Sequence, residues 1–181
     1  MLGLLSKKKS TELWDDEYKN GRWDYLREQP LYNNSDFIAG YLNRETEGTD
    51  ATIFDVGAGN GALYPLLTLK GEKQYFPVDV SQVALDALKE SHNITNSMVG
   101  DIETMDLSES NYDYIVLNEV VYYFNNPIQT VKRCAEAAKK CCIVSMYHSP
   151  RSNLIRMFLP RPTFSARING EYKWTIMFYL K

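Results

Sequence analysis

The run Asp55-Val56-Gly57-Ala58-Gly59-Asn60-Gly61 places three glycines at alternate positions directly after the β-branched and aromatic stretch Ala51 to Val56. Glycine here permits a sharp turn and lets a ligand approach bare backbone N–H groups. A loop that only turns a strand into a helix has the same composition, so its meaning depends on the residues downstream of it. Asp79 lies about twenty residues further on, at the end of a second strand-like run, where a carboxylate can accept hydrogen bonds from both hydroxyls of a ribose. A third run ends in Asp101 followed by Ile102, a pair able to meet the amino edge and the flat face of an adenine. The fourth ends in Asn118-Glu119. Any one of these is an ordinary capped turn, but four polar strand ends in succession along one sheet edge describe a ligand site. The dinucleotide loop G-x-G-x-x-G has its third glycine one residue later than Gly61, which sets this loop apart from it.

Two side chains are candidates for moving a proton. Glu119 can accept one from an amine or hydroxyl, or orient that group; the alternative is a carboxylate bound to loop backbone. His148, just after the fifth strand-like run, has an unperturbed pKa suited to neutral pH. His92 sits at the end of a surface helix and suggests no chemistry. Trp14, Tyr18, Trp23 and Tyr25 are too many aromatic groups for a small exposed helix, so they either pack under the sheet or fold over a ligand. Tyr122, Tyr123 and Phe124 can wall an acceptor pocket or give the following helix an apolar entry. No spacing of His, Cys and carboxylates matches a zinc site, and no metal is expected.

The elements that must position these residues emerge from periodicity and caps. Ser10 or Thr11 opens a helix carrying Leu13, Trp14 and Tyr18, and Ser35 caps a second with Phe37, Ile38, Tyr41 and Leu42 on one side. The polar stretch Glu45 to Asp50 separates them from alternating strands and helices. Strands are predicted over Ala51–Val56, Gln74–Val80, Ser97–Asp101, Tyr112–Asn118 and Cys141–Met146. Helices are predicted over Ala62–Leu67, after the cap Ser81, after Asn126-Pro127, and over Ser152–Leu159. The helix after Pro127 is expected to bury Ile128, Val131, Ala135 and Ala138. Asn169-Gly170 between two apolar runs signals a hairpin with a two-residue turn. The prediction is a doubly wound, mostly parallel α/β sheet with helices on both faces and a C-terminal antiparallel hairpin. Residues 1–181 are expected to form one domain, with 1–48 a helical cap segment and 49–181 the ligand-binding core.

A chain of 181 residues with 44% hydrophobic residues, 13 Tyr, 7 Phe and 3 Trp has ample apolar surface for a core. Twenty Lys plus Arg against 23 Asp plus Glu give net charge -3, so duplex nucleic acid is not the expected partner. Cys134, Cys141 and Cys142 are odd in number and two are adjacent, which suggests a reducing intracellular setting. The apolar part of Met1 to Leu5 is too short for a signal segment, with Lys7-Lys8-Lys9 after it as a solvated tail. No stretch approaches the roughly 20 apolar residues of a membrane helix, so a cytoplasmic protein without a membrane partner is expected.

Through IFDVGAGNGALYPLL, YFPVDVS, VGDIETMDL and YDYIVLNEVVYYF, over roughly residues 50–150, the chain resembles the class I S-adenosylmethionine-dependent methyltransferase superfamily. NEVVYYF and the upstream WDDEYKNGRWDYL are similar to a bacterial branch that includes nodulation-type sugar N-methyltransferases. The resemblance implies a Rossmann-like fold, S-adenosylmethionine as cofactor and S-adenosylhomocysteine as product. It implies that Asp55, Gly57, Ala58 and Gly59 hold the methionine part, Asp79 and Val80 the ribose, and Asp101 with Ile102 the adenine. Asn118 and Glu119 then border the methyl group, with Trp23 and Tyr25 beside the cofactor. Methylation of exocyclic nucleobase amines usually goes with a proline pair after the fourth strand, whereas Glu119-Val120-Val121 succeeds Asn118 here. The acceptor expected is the amine or hydroxyl of a small-molecule or saccharide-like compound; a non-catalytic binding relative and a nicotinamide dehydrogenase are the alternatives. The oligomeric state is open, a homodimer included. Little chain remains after the fifth strand, so the N-terminal aromatic segment is expected to close over the methyl donor.

Overall fold

Strand-forming residues recur here in short runs whose two faces are both apolar, and such strands must be covered on both sides. The computed structural model describes residues 10–24, 33–68, 74–169 and 172–181. Its strands are β1 (Ile53–Val56), β2 (Tyr75–Asp79), β3 (Met98–Val99), β4 (Tyr114–Asn118), β5 (Cys141–Tyr147), β6 (Phe164–Asn169) and β7 (Lys173–Leu180). They form one sheet in the order β3-β2-β1-β4-β5-β7-β6. β1 to β5 are mutually parallel, and β7 lies antiparallel between β5 and the edge strand β6. The order reverses at β1, which pairs with both β2 and β4, and a doubly wound sheet opens its crevice at such a switch point.

The helices are α1 (Thr11–Lys19), α2 (Asn33–Thr46), α3 (Gln82–His92), α4 (Pro127–Ala137) and α5 (Pro150–Phe158). Side chains alternate across the sheet and so build two cores. Ile53, Val116, Ile143 and Phe178 meet Ile38 and Leu42 of α2 and Leu85 and Leu88 of α3. On the other face Phe54, Ile115, Leu117 and Val144 meet Val131 and Cys134 of α4 and Ile155 of α5. This is the predicted Rossmann-like, mostly parallel α/β sheet with helices on both faces.

Local chemistry fixes the ends of these elements. Ser81 Oγ accepts the Ala84 N–H at 3.1 Å as the α3 N-cap, and Asn93 closes that helix in the left-handed region at φ 55°. Ser149 and Ser152 cap α5 reciprocally, with Pro150 in its first turn. All three cysteines are free and buried.

Several predicted details differ. Ala62–Leu67 is a single 3-10 turn over Tyr64–Leu66. A helix begun at Ala62 would place Pro65 where the first intrahelical N–H is needed, so the turn starts at Tyr64 instead, with the proline in its first positions, where no N–H is required. α2 begins before Ser35, whose hydroxyl accepts from Asn118 Nδ2 instead of standing at the N-cap. Asn126 makes no side-chain cap to α4; the Glu103 carboxylate accepts the Asn125 and Asn126 N–H groups at 3.1 and 2.7 Å. The buried face of α4 is Pro127, Thr130, Val131 and Cys134, which leaves Ile128 exposed. Leu13 and Phe37 are exposed as well. Asn169 pairs with Lys173, so three residues connect β6 to β7 where two were predicted; Gly170 and Glu171 lie outside the described residues. No helix among the described residues is long and apolar enough to cross a membrane.

Candidate active site

The carboxyl ends of β1, β2, β4 and β5 open into one cavity of about 580 Å³, within the size range of small-molecule sites. Asp55, Gly57, Ala58, Gly59, Asp79, Val80, Asp101, Ile102, Asn118, Glu119 and Trp23 all line it. Tyr25 lies outside the described residues. His148 is not among the lining residues; its Nε2 sits 2.7 Å from Thr175 Oγ1, and desolvation, then Arg156, Arg167 and Lys173, lower its pKa.

The glycine loop needs its glycines. Gly57 and Gly59 have φ of 68° and 56°, a region costly for other residues. A Cβ on Gly57 would come within 2.5 Å of Val120 Cγ2, and one on Gly59 within 2.7 Å of the Tyr18 hydroxyl. Two buried acids stand behind the loop. Asp79 accepts the Gly59 N–H and the Ser81 N–H, each at 2.9 Å, which fixes its carboxylate at the cavity wall. Burial raises its pKa and these backbone bonds oppose the shift. Asp55 accepts the Tyr75 hydroxyl. Burial pushes the Asp55 pKa up to about 7, the Tyr75 bond works against that, and the nearby Asp79 charge adds to it. Asp101 and Ile102 are held from α4, where the Arg133 guanidinium donates to the carbonyls of Ile102, Glu103 and Met105.

The other end of the cavity is built on β4, β5 and β7. Asn118 is a cross-brace: its Nδ2 donates to Ser35 Oγ at 2.9 Å, while its Oδ1 accepts from Asn34 Nδ2 at 2.9 Å and Ser145 Oγ at 2.7 Å. Glu119 is held in the left-handed region at φ 61°, an uncommon place for a non-glycine residue. Its carboxylate accepts from Ser145 Oγ at 2.7 Å, from the Tyr122 hydroxyl at 2.9 Å, from the Trp174 side chain and from the Tyr147 N–H. Burial raises the Glu119 pKa, and those four donors pull it back. Ser145, Tyr147, Tyr172 and Trp174 were not among the expected site residues. Ser145 is a polar residue in the apolar run Cys141 to Met146, which is the signal that would have flagged it.

The third wall is the N-terminal segment. The α1 N-terminal half docks on the start of α3, where Asp15 Oδ1 accepts from Ser81 Oγ at 2.6 Å and the Val83 N–H at 3.4 Å. Trp14 meets Tyr123 edge to face at 4.9 Å and Trp23 at 5.9 Å. Trp23 Nε1 donates to Glu17, and the Trp23 carbonyl accepts from buried Asn60 in the glycine loop at 3.5 Å. Trp14, Tyr18 and Trp23 therefore lie against the loop and line the cavity with it.

Electrostatically the cavity has one sign. Its lining among the described residues contains four carboxylic acids, Asp55, Asp79, Asp101 and Glu119, and no Lys, Arg or His. Such a site suits a ligand carrying positive charge and hydroxyl donors. S-adenosylmethionine fits on both counts, with its sulfonium, its ribose diol and its adenine amino group.

Comparison with known proteins agrees with this geometry. Residues 54–144 match the methyltransferase domain family. The chain is 29% identical over 123 residues to the ubiquinone biosynthesis O-methyltransferase of Nitrosospira multiformis, covering 65% of this chain and 51% of that protein. It is 32% identical over 130 residues to the ribosomal protein L11 methyltransferase of Clostridium perfringens, covering 69% of this chain and 41% of that protein. It thus spans about half the length or less of these curated relatives. Among solved structures, magnesium protoporphyrin IX methyltransferase from Synechocystis with bound S-adenosylmethionine superposes with TM-score 0.73 at 14% identity, covering 97% of this chain and 99% of that one. The N-methyltransferase NodS from Bradyrhizobium japonicum, with S-adenosylhomocysteine, gives 0.71 at 12% identity, covering 96% and 99%. With its glycine loop, strand-end acids and sheet order in hand, the chain belongs to the methyltransferase domain family and has the class I S-adenosylmethionine-dependent methyltransferase fold.

Proposed function

We propose that this chain transfers a methyl group from S-adenosylmethionine to the amine or hydroxyl of a small-molecule or saccharide-like acceptor. The observation that carries the reading is that one acidic cavity joins the Gly57–Gly59 loop, the strand-end acids and Glu119. When bound, S-adenosylmethionine supplies a methyl carbon already activated by its sulfonium, so the chain's own residues have to orient and shield. The Gly57, Ala58 and Gly59 backbone and Asp55 hold the methionine part, Asp79 with Val80 the ribose, and Asp101 with Ile102 the adenine. Asn118 and Glu119 border the reacting carbon, and residues 1–48 cap the core formed by 49–181, with Trp14, Tyr18 and Trp23 excluding water. Tyr147, Tyr172 and Trp174 give the acceptor an aromatic wall, which suits the apolar face of a sugar as well as a small amine. His148 is assigned no part, since it faces Thr175.

Calorimetric titration with S-adenosylhomocysteine and with NAD tests the reading. S-adenosylhomocysteine should bind and raise the melting temperature by mass action, whereas NAD should do neither. Equal stabilisation by NAD would overturn it. A screen of amine, hydroxyl and sugar acceptors, read as S-adenosylhomocysteine release, then identifies the acceptor class.

A further inference from the structure

The acids at the ends of β1, β2 and β3 are absorbed by the cofactor reading, and Glu119 remains. An ionised carboxylate offers about four lone-pair positions, and here donors from Ser145, Tyr122, Trp174 and Tyr147 converge on it. Ser145 shares its one proton between Glu119 and Asn118, yet the remaining donors alone leave the carboxylate little capacity to take a proton from a substrate. Glu119 is therefore poorly arranged as a general base. Its negative charge is nevertheless fixed in place, by those bonds and by a backbone held at φ 61°.

Three rings share the cavity with that charge, and the side chain of one of them, Trp174, donates to it. Tyr147, Tyr172 and Trp174 form a triangle with centroid separations of 6.1, 5.9 and 6.0 Å, and all three line the cavity. Aromatic faces carry a negative quadrupole, so rings backed by a carboxylate favour a positive charge in front of them. The two acceptor chemistries differ in this respect. A hydroxyl must lose its proton as the new bond forms, which calls for a free base. An amine held as its ammonium releases a proton to water before it reacts, and its freed lone pair becomes positively charged again as the new bond forms, so no buried base is needed in the transfer step itself.

We infer that Tyr147, Tyr172 and Trp174, with Glu119 as their fixed countercharge, form an amine subsite, so that the chain methylates nitrogen; this rests on the methyltransferase reading. The bound ammonium first releases a proton to water; the lone pair so freed forms a bond to the methyl carbon as that carbon's bond to sulfur breaks, the electron pair going to sulfur. Positive charge passes from sulfur to nitrogen within one acidic cavity, and the nitrogen then releases a proton to water. Glu119 and the rings stabilise the charge where it arrives.

Benzylammonium and benzyl alcohol have nearly the same shape and differ in charge, which makes them suitable probes. Each is titrated calorimetrically at pH 7 into the full chain saturated with S-adenosylhomocysteine, both wild type and Glu119→Gln. Benzylammonium should bind at least about tenfold more tightly than the alcohol, and the ratio should fall to within about threefold in Glu119→Gln. S-adenosylhomocysteine affinity and the far-UV circular dichroism should stay near wild type in that variant while the melting temperature falls, because the amide NH2 faces donors the carboxylate accepted; retained cofactor binding separates loss of charge from loss of fold. Tyr172→Leu, at a side chain 40% exposed, should weaken benzylammonium several-fold without unfolding the chain. Equal affinities, preference for the alcohol, a ratio that survives Glu119→Gln, or no binding of either probe to a chain that binds S-adenosylhomocysteine would each overturn the amine subsite alone. Failure of S-adenosylhomocysteine itself to bind would overturn the underlying reading.

Discussion

Asp55 and Asp79 are buried together behind the glycine loop, and the energetic consequence is a pH dependence with a definite sign. The Asp55 pKa is raised to about 7 in the folded chain, above its ordinary value near 4, because burial disfavours the charged form. The folded state therefore holds a proton that the unfolded state releases. The stability this proton confers is complete below about pH 4 and is lost as the pH rises toward 7. Melting temperature without ligand should fall across that window, and Asp55→Asn should flatten the fall. A cationic ligand favours the ionised form, so S-adenosylmethionine affinity should rise over the same window and level off above it, measured by calorimetry at several pH values. At Asp79 the expectation concerns the ribose: Asp79→Ala should cost about 1.5–3 kcal/mol of S-adenosylhomocysteine affinity, because hydrogen bonds to a charged partner are lost. Unchanged affinity would make Asp79 a turn residue only. Both acids were legible from sequence because a strand end is a local feature. Tyr172 and Trp174 were not, since they reach the cavity only through the pairing of β7 with β5, a contact between segments far apart in the chain, and Ser145 reaches Glu119 only through the pairing of β5 with β4.

At the scale of elements, the N-terminal segment matters most. α1 is fixed to the start of α3 through Asp15, and Tyr18 places its hydroxyl against Gly59. Deleting residues 1–30 should weaken cofactor binding and abolish turnover while circular dichroism still reports a folded sheet. A folded truncation with full activity would reduce the segment to packing. Asp15→Ala is the gentler version; it should weaken S-adenosylhomocysteine several-fold without changing the far-UV spectrum. Strands and long helices were legible because their apolar period is strong. Ala62–Leu67 has a helical apolar run with Pro65 near its first turn, and the missing N–H of that proline limits it to one 3-10 turn. Ser35 has the local chemistry of a cap, but its hydroxyl has a tertiary partner, Asn118, eighty-three positions away, which no local rule can see.

For the molecule as a whole, the sheet order determines which residues become neighbours. β1 sits at the switch point, so its loop faces the ends of both β2 and β4, and β7 inserted beside β5 carries an aromatic wall to the same edge. The mostly parallel sheet, its antiparallel tail and the cofactor end of the cavity could be read from one sequence; the acceptor end required the folded arrangement. One further consequence is optical. The chain has three tryptophans, Trp14, Trp23 and Trp174, and all of them line the cavity, two at the N-terminal wall and one beside Glu119. Tryptophan emission from these 181 residues therefore comes from the site, so ligand occupancy can be followed without a label. S-adenosylhomocysteine should shift or quench the emission through Trp14 and Trp23, and Trp174→Phe should leave that response largely intact. A second ligand at the Glu119 end should act on the Trp174 contribution, which the same substitution removes, so the two halves of the cavity can be read separately in one cuvette.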